Sequence, residues 1–373
     1  MTPRGWLLPS GVDRRSFLAA LTGAALGACV TRRAAPFDAV VSLDPQAGNG
    51  SPVYASVGAA LAAAPAGKAR YRVRITRGRW REKLVIDRPG IDLIGDDKGN
   101  CVLTFDAAAG QRAPDGEPWG TWRCASVTVR ASDFHARHLT IENAFDYEGH
   151  LRHPVMETVG SNGAQAVALM LDVGADRSLF EDVILIGHQD TLFVDAGRSL
   201  FRNCAIRGSV DFIFGAGAAW FEQCDLLSRF RFGKERQGYV AVPSTLAKNP
   251  YGLVFHHCQL HKESEVPKAS VALGRPWRPT RTFADGRYGD LSVSGAAAFI
   301  DCWMDDHIDP AGWDAMSYSA RDGSRVMFQP GDARLTEFHS TGPGAAISAA
   351  RRQLDAFRAA KYSARNVLDG WLP

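Results

Sequence analysis

The sequence predicts an all-β protein whose short strands stack into a solenoid. A short phrase around a phenylalanine recurs along the chain, and its tightest spacings are twenty-one and twenty residues. Strand-forming runs between the phrases end at glycine or proline, and no helices alternate with them. A repeat of this size cannot bury its apolar face alone, so successive turns share one core. A β-sandwich is the alternative, which the coil-like register disfavours. The phrase is centred on Phe134, Phe180, Phe201, Phe221, Phe255 and Phe299.

The remaining elements follow from local composition. An alanine-rich segment at 51–66, with Ser56 as its cap, predicts a short helix over one end of the fold. A second helix is predicted at 349–360, because alanine, leucine and arginine favour helices, and we expect it to pack against the solenoid. Turn residues delimit the early strands, which are predicted at 71–75, 84–86, 91–94, 102–105 and 126–129.

Composition indicates a globular protein with a large core. The chain has 373 residues, of which 46% are hydrophobic and 22% charged, and its net charge is +3. This charge is too small for the basic surface of a nucleic-acid-binding protein. We expect a single folded domain over residues 38–373 and a monomer.

The N-terminus resembles an export signal. Arg14 and Arg15 precede a short apolar run, as in twin-arginine signals, and the run is too short to remain as a transmembrane helix. The segment Leu26-Gly-Ala-Cys29 resembles a lipobox, in which the cysteine is acylated. We therefore expect residues 1–29 to be the signal and residues 30–37 a tether. The protein would then reach the bacterial cell envelope. The residue after Cys29 is Val30 rather than an acidic residue, which favours the outer membrane in a cell with two membranes. An ordinary signal peptide, with release from the cell, is the alternative.

Two acids form the candidate catalytic pair. Asp190 and Asp211 lie twenty-one residues apart, and each follows a phenylalanine of the repeat by ten residues. If the phrase marks one turn, the two carboxylates stack roughly 5 Å apart on neighbouring strands. Apolar neighbours would desolvate them, so that one is driven towards its protonated form. A charged carboxylate beside a neutral one provides a nucleophile and a proton donor.

Several ordered motifs resemble the pectin methylesterases. They are Gln-Ala-Val-Ala-Leu at 165–169, Gln-Asp-Thr-Leu at 189–192, Val-Asp-Phe-Ile-Phe-Gly at 210–215 and Leu-Gly-Arg-Pro-Trp at 273–277. Gly-Arg-Trp-Arg-Glu at 78–82 is similar to another family motif, with Trp80 in place of the usual tyrosine. The resemblance spans about residues 38–373. It implies a right-handed parallel β-helix with short terminal helices, secretion, and hydrolysis of methyl esters of polygalacturonate. It implies neither a metal nor an organic cofactor.

The resemblance also implies a role for each catalytic residue. Asp211 would attack the ester carbonyl, while Asp190 would act first as acid and then as base. Gln165 and Gln189 carry amide N–H groups that suit a developing oxyanion. Arg275 would hold Asp211 ionised through a two-pronged contact. The two glutamines could instead form structural ladders, and the arginine an ordinary surface ion pair.

Three further residues would line the substrate groove. Trp277 offers a flat face for a sugar ring, although it could be an ordinary core aromatic residue. Phe214 and Met316 occupy matching family positions. The expected partner is methyl-esterified polygalacturonate, with no nucleic acid and with membrane contact only through the lipid anchor. His188 is interpreted as a packing residue rather than a general base.

The cysteines after Cys29 are predicted to be core residues. Four of them close the repeated phrase, and none has the Cys-x-x-Cys spacing of a metal site: Cys204, Cys224, Cys258 and Cys302. Cys204 and Cys224 occupy matching positions one turn apart, where the family resemblance also implies a disulfide. Two free thiols are the alternative. Cys101 with Cys124 is a weaker candidate pair.

Other functions on the same fold are less consistent with these residues. A glycoside hydrolase also uses paired carboxylates but has little use for two amide donors beside them. A calcium-dependent pectate lyase needs clustered acidic ligands, which the predicted groove residues do not provide. A non-catalytic or thioesterase lipoprotein is the remaining alternative. Methanol release from methylated pectin separates these classes.

Overall fold

The computed structural model describes residues 37–158 and 162–373, and the part from Phe37 onward is one compact unit. None of the helices in these described ranges is long and apolar enough to cross a membrane. The predicted signal at 1–29 and the tether up to residue 36 lie outside the described residues.

The described residues contain thirty short strands, which we number in chain order. They are β1 Ala39–Val41, β2 Val53–Tyr54, β3 Tyr71–Ile75, β4 Gly78–Arg81, β5 Leu84–Ile86, β6 Ile91–Gly95, β7 Cys101–Phe105, β8 Val127–Val129, β9 His135–Arg137, β10 Thr140–Asn143, β11 Leu169–Leu171, β12 Ser178–Glu181, β13 Ile184–Ile186, β14 Leu192–Val194, β15 Arg198–Arg202, β16 Ala205–Gly208, β17 Ile213–Gly215, β18 Ala218–Glu222, β19 Asp225–Ser228, β20 Gly238–Pro243, β21 Leu253–His256, β22 Gln259–Lys262, β23 Val271–Gly274, β24 Thr280–Phe283, β25 Gly286–Gly289, β26 Ala296–Ile300, β27 Trp303–Met304, β28 Met316–Ser319, β29 Arg325–Phe328 and β30 Arg334–Phe338.

The strands form three parallel sheets around a common core. The order is β2-β1-β3-β6-β9-β12-β15-β18-β21-β26-β30 in the eleven-stranded sheet, β27-β22-β19-β16-β13-β10-β7-β4 in the eight-stranded sheet and β23-β20-β17-β14-β11-β8-β5 in the seven-stranded sheet. From β3 to β23, each turn of the chain contributes one strand to each sheet and pairs with the turn before it, which is a parallel β-helix. The hairpins β24–β25 and β28–β29 project from it.

The phenylalanine repeat sets the register of the core. Phe180, Phe201, Phe221, Phe255 and Phe299 are paired across successive strands, and neighbouring rings stack with centroids 4.5–4.8 Å apart. The solenoid prediction is therefore confirmed for these turns.

The first member of the predicted repeat is out of register. Ala136, not Phe134, pairs with Phe180. Phe134 lies two residues earlier, yet its ring still reaches that of Phe180, with centroids 5.8 Å apart. A small residue in the paired position leaves room for the larger ring from the preceding turn.

The helices are shorter than the sequence predicts. The first helix, α1, spans Val57–Ala62, and Ser56 caps it by accepting a hydrogen bond from Ala59 N at 3.1 Å. The other helices in the described ranges are α2 Tyr147–Arg152, α3 Ala356–Ala359, α4 Ala364–Val367 and a 3₁₀ turn at Pro330–Asp332.

The helix predicted at 349–360 is wrong in its first half. Arg351 is buried there and forms an ion pair with the buried Glu337, with Nε 2.8 Å from Oε1. Its Nη1 also donates to Gly344 O at 2.7 Å. Leaving either charge buried without its partner costs about 3–5 kcal/mol, more than helix propensity returns over a few residues.

One corner of the coil is built from residues with left-handed backbone. Each directly follows a strand of the eleven-stranded sheet, mostly just before the chain enters the eight-stranded sheet. Their φ angles are 51–54°, and they are His138, Asp182, Asn203, Gln223, His257, Asp301 and His339. We call this the ladder corner. Asparagine and aspartate tolerate this conformation best among non-glycine residues.

The predicted Cys204–Cys224 disulfide is corrected by the structure, in which both residues are buried free thiols. The Cys204 Sγ lies 3.4 Å from Phe180 O, and the Cys224 Sγ lies 3.5 Å from Phe201 O. The register also places Cys258 and Cys302 at equivalent positions on the next turns. Cys224 therefore has a cysteine on both sides, and matching position alone does not single out one partner.

The weaker candidate pair is not formed either. Cys101 and Cys124 are free thiols. They belong to different apolar clusters, Cys101 to the main core and Cys124 to a smaller cluster beneath the loop at 119–122.

Candidate active site

Asp190 and Asp211 share one corner of the coil. They lie two residues before β14 and β17, whose pairing of Leu192 with Ile213 places the two acids at equivalent positions on successive turns. Both have left-handed backbone, with φ of 66° and 52°. The Asp190 N–H donates to Val210 O at 2.9 Å, which joins the two turns next to the acids. The register predicted from their spacing is confirmed.

Arg275 holds the Asp211 carboxylate from the loop after β23. Its Nε lies 2.9 Å from Oδ1 and its Nη2 lies 2.7 Å from Oδ2, a two-pronged contact. The guanidinium also packs over the Tyr239 ring, 3.9 Å from the centroid. Asp211 is therefore fixed in orientation and faces a permanent positive charge.

The surroundings of Asp190 favour its neutral, protonated form, in contrast to the Asp211 carboxylate. Asp190 is 7% exposed. Burial raises the pKa of Asp190 well above its ordinary value, and the negative Asp211 raises it further, while Arg275 opposes the shift in part. The corner thus pairs a carboxyl group that retains its proton with a carboxylate bound to arginine, which is how like acids divide into donor and nucleophile.

The two glutamines border the same space from neighbouring turns. The backbone O of Gln189 accepts from Ala166 N at 3.0 Å, which joins the segments that carry them. The Gln165 Oε1 accepts from Gly163 N at 2.7 Å, which orients its side-chain amide. Neutral N–H donors beside two acids suit an oxyanion that appears only during reaction.

A cavity of about 350 Å³ opens over these groups. Its aromatic wall includes Phe214 and Trp277, whose rings lie 5.8 Å apart in an edge-on arrangement. Trp122, which is 43% exposed, lies 6.1 Å from Trp277. The cavity brings together every predicted catalytic and substrate-binding residue: Gln165, Gln189, Asp190, Asp211, Phe214, Arg275, Trp277 and Met316.

Comparison with known proteins identifies the family. The family model for pectinesterases matches residues 39–369 of this chain. The chain belongs to the pectinesterase family. It is 41% identical to pectinesterase A of Dickeya chrysanthemi over 91% of this chain and 93% of that protein. It is 34% identical to a pectinesterase of Ralstonia nicotianae, over 68% of this chain and 65% of that protein.

Solved structures of this pectinesterase family share the fold. Pectin methylesterase PemA from Erwinia chrysanthemi superposes with a TM-score of 0.86 at 40% identity, covering 91% of this chain and 99% of that one. A pectin methylesterase in complex with a hexasaccharide gives a TM-score of 0.85 at 41% identity, with the same coverage. The right-handed parallel β-helix is confirmed, and the protein is a carboxylic ester hydrolase.

Two residues singled out in the sequence take core positions in this pectinesterase. His188 stacks on Tyr147, with centroids 4.8 Å apart and planes 11° from parallel. Burial lowers the pKa of His188 to about 3, so the imidazole is neutral and packs as predicted. Trp80 lies in the main core, where its indole N–H donates to Thr76 O at 3.2 Å.

Several residues that line the cavity carry no signal in the sequence. Thr121 and Trp122 come from a loop, while Thr280 and Arg287 come from the β24–β25 hairpin. None lies in the repeated phrase, and the long-range path of these segments decides where they meet. Tyr239, which lies under Arg275, was missed because a strand tyrosine is ordinarily a packing residue.

Proposed function

We propose that this pectinesterase hydrolyses the methyl esters of polygalacturonate (pectin) to pectate and methanol, through an acyl-enzyme on Asp211. The observation that carries the proposal is the division of the acid pair into two states. Arg275 binds Asp211 at 2.7 and 2.9 Å, while burial and Asp211 hold the pKa of Asp190 high. Ester hydrolysis at one site requires a nucleophile and a proton donor of this kind.

The first half of the reaction releases methanol. An Asp211 oxygen attacks the ester carbonyl carbon, and the bond from that carbon to the methoxy oxygen breaks. Asp190 gives its proton to the departing oxygen, so that methanol leaves and Asp190 becomes a carboxylate. The product is a mixed anhydride between Asp211 and the galacturonate unit.

The second half regenerates the enzyme. The Asp190 carboxylate takes a proton from water, and the resulting hydroxide attacks the anhydride. The anhydride C–O bond breaks, Asp211 returns to its carboxylate form beside Arg275, and the galacturonate unit is formed as the neutral acid. Asp190 is again protonated, and the galacturonic acid loses its proton to the solvent, so each cycle releases one methanol, one carboxylate and one proton.

In both halves the carbonyl oxygen acquires negative charge. We assign its stabilisation to the side-chain amides of Gln165 and Gln189, which border the cavity together with both acids. A sugar ring would lie against Trp277, with Phe214 and Met316 completing the wall. Parallel stacking of the coil extends this surface along the axis, which suits a long polymer.

Gln189→Ala is expected to lower kcat by about 10²–10³-fold, the usual cost of one oxyanion donor. The KM for methylated pectin should change little, because the donor acts mainly on charge that develops during reaction. Steady-state methanol release gives both constants. Gln259→Ala, an exposed glutamine of β22, is the matched control and should retain wild-type kinetics. An unchanged kcat in Gln189→Ala removes this residue from the oxyanion site.

The reaction class is tested with one polymer and three readouts. On highly methylated pectin the wild type should release methanol without new reducing ends and without unsaturated products. New reducing ends would indicate a glycoside hydrolase, and absorbance from unsaturated products a lyase. Binding without any product would overturn the proposed esterase activity.

We also infer from the sequence that the chain is exported and lipidated on Cys29. In cell fractionation the wild type should partition with membranes, since several acyl chains anchor stably where one does not. Cys29→Ala should move the protein to the soluble fraction while its specific activity stays unchanged. Equal soluble partitioning of the two proteins contradicts lipidation.

A further inference from the structure

A second cluster of chemically capable side chains lies outside the catalytic cavity. His256, His257 and Asp301 each present a ligand atom, and these atoms lie within 4.8 Å of one another. The imidazoles of His256 and His257 are 4.1 Å apart between centroids. We infer that this cluster binds a divalent zinc ion.

The fold explains why these residues meet. His257 and Asp301 occupy the ladder corner on successive turns, with φ of 52° at both. Strands β21 and β26 are paired in register up to His256 and Ile300, immediately before this corner. The His257 N–H donates to Ile300 O at 3.0 Å, which fixes the two corner residues side by side. Residues that are forty-four positions apart in sequence thus become neighbours.

A neighbouring carboxylate orients the first ligand. Glu222 accepts from His256, whose Nδ1 lies 2.9 Å from Oε2, and also from the Trp220 indole, whose Nε1 lies 2.7 Å from Oε2. A histidine whose Nδ1–H is held by a carboxylate presents its Nε2 lone pair to a metal, the usual arrangement in protein zinc sites. His256 is therefore set in ring orientation and tautomer before any ion arrives.

The donor set selects the metal. Two imidazoles and one carboxylate favour zinc and similar late transition metals, whereas calcium and magnesium prefer an all-oxygen set. His339 is next in the ladder corner, and its Nδ1 lies 3.5 Å from Asp301 Oδ1. The His339 ring stacks on Phe338, with centroids 3.8 Å apart, but its side chain is 70% exposed, so rotation away from that ring can supply a fourth ligand.

The donor atoms must draw together when zinc binds. Ligands of a tetrahedral zinc site are roughly 3.3 Å apart for bonds of about 2.0–2.1 Å. The ligand atoms of this cluster lie within 4.8 Å of one another, which allows wider separations than zinc requires. Rotation of the exposed His257 side chain shortens these separations. The ion then joins the β21 and β26 turns, next to the last strand of the eleven-stranded sheet. Because the three ligands meet only in the folded chain, zinc binds this state more tightly than the unfolded chain and stabilises this end of the coil.

Calorimetric titration of the full, untagged chain with zinc chloride tests the inference. The wild type should bind one zinc ion, and its thermal unfolding midpoint should rise with zinc concentration but not with magnesium chloride. His257→Asn and Asp301→Asn remove one ligand each, and asparagine tolerates the corner φ. Each variant should bind at least about 100-fold more weakly, since even changes behind the ligands cost about 10–100-fold.

His138→Asn is the matched control. His138 also lies in the ladder corner, with φ of 53°, and its Nδ1 is 2.9 Å from Asp182. Lys98 already pairs with Asp182, so this position offers no metal site, and the variant should bind zinc as the wild type does. No saturable zinc binding by the wild type overturns the inference. So does wild-type affinity in Asp301→Asn, which decides the test even if His257→Asn fails to fold.

Discussion

Asp211→Asn is expected to abolish methanol release, with a loss in kcat on the order of 10⁴-fold or more. A neutral amide is a poor nucleophile, and it cannot form the two charged contacts that Arg275 makes at 2.7 and 2.9 Å. Asparagine fits the left-handed backbone at this position, where φ is 52°. The loss therefore reports chemistry rather than backbone strain. Methanol release by purified protein on methylated pectin is the measurement.

Asp182→Asn is the control for this substitution. Asp182 has a φ of 54° and also forms a charged contact, with Lys98, but it lies in the ladder corner. The control makes the same isosteric change and removes the same charge, and it should keep near-normal turnover. Near-normal turnover in Asp211→Asn would refute the proposed nucleophile.

The covalent intermediate has its own kinetic signature. If acylation is the faster half, rapid quench of the wild type should show a burst of methanol, about one per active site, before steady turnover. Asp211→Asn should show no burst. A burst that persists in this variant would place the acyl group on another residue.

Spacing in the sequence was sufficient for the parts of the fold that repeat. The separation of Asp190 from Asp211 equals that of Phe180 from Phe201, so one register fixes both the core stack and the acid pair. Parallel in-register pairing has this property because equivalent residues on successive turns lie about one strand spacing apart. The catalytic corner was predictable for the same reason as the core.

Features that depend on tertiary partners were not predictable. The segment before α3 has helix-forming residues, but the buried pair of Arg351 and Glu337 determines its path. The cavity wall contributed by Trp122 and Arg287 depends on a loop and a hairpin outside the repeat. No local pattern encodes such contacts, because each partner lies far away in the sequence.

The zinc cluster shows the same limit. His256 and His257 are adjacent in sequence, but their spacing does not match a metal-binding motif. Asp301 completes the set only because β21 and β26 pair in register. A ligand set divided between two turns of a coil becomes visible once the register is known.

Asp190→Asn is expected to lower methanol release by about 10²–10⁴-fold, the usual contribution of a positioned proton donor. Without that proton methanol must leave as methoxide, and the later attack by water loses its base. In the wild type, kcat/KM should fall as pH rises through the raised pKa of Asp190, since acylation requires the protonated form. Methanol release measured against pH checks both effects. Activity of Asp190→Asn close to that of the wild type would refute the acid–base role.

The same substitution should stabilise the protein at neutral pH. Because the folded-state pKa of Asp190 is raised, the folded protein binds this proton more tightly than the unfolded chain does. Stability is therefore lost as pH rises from the unfolded value, about 3.9, through the folded one. Asparagine does not titrate and avoids this loss.

The thermal unfolding midpoint of Asp190→Asn should exceed that of the wild type by a few degrees at pH 7, and the difference should shrink towards pH 4. Asp211→Asn should instead lower the midpoint at pH 7, because it leaves Arg275 without its partner. A midpoint for Asp190→Asn at or below that of the wild type at pH 7 would contradict the raised pKa.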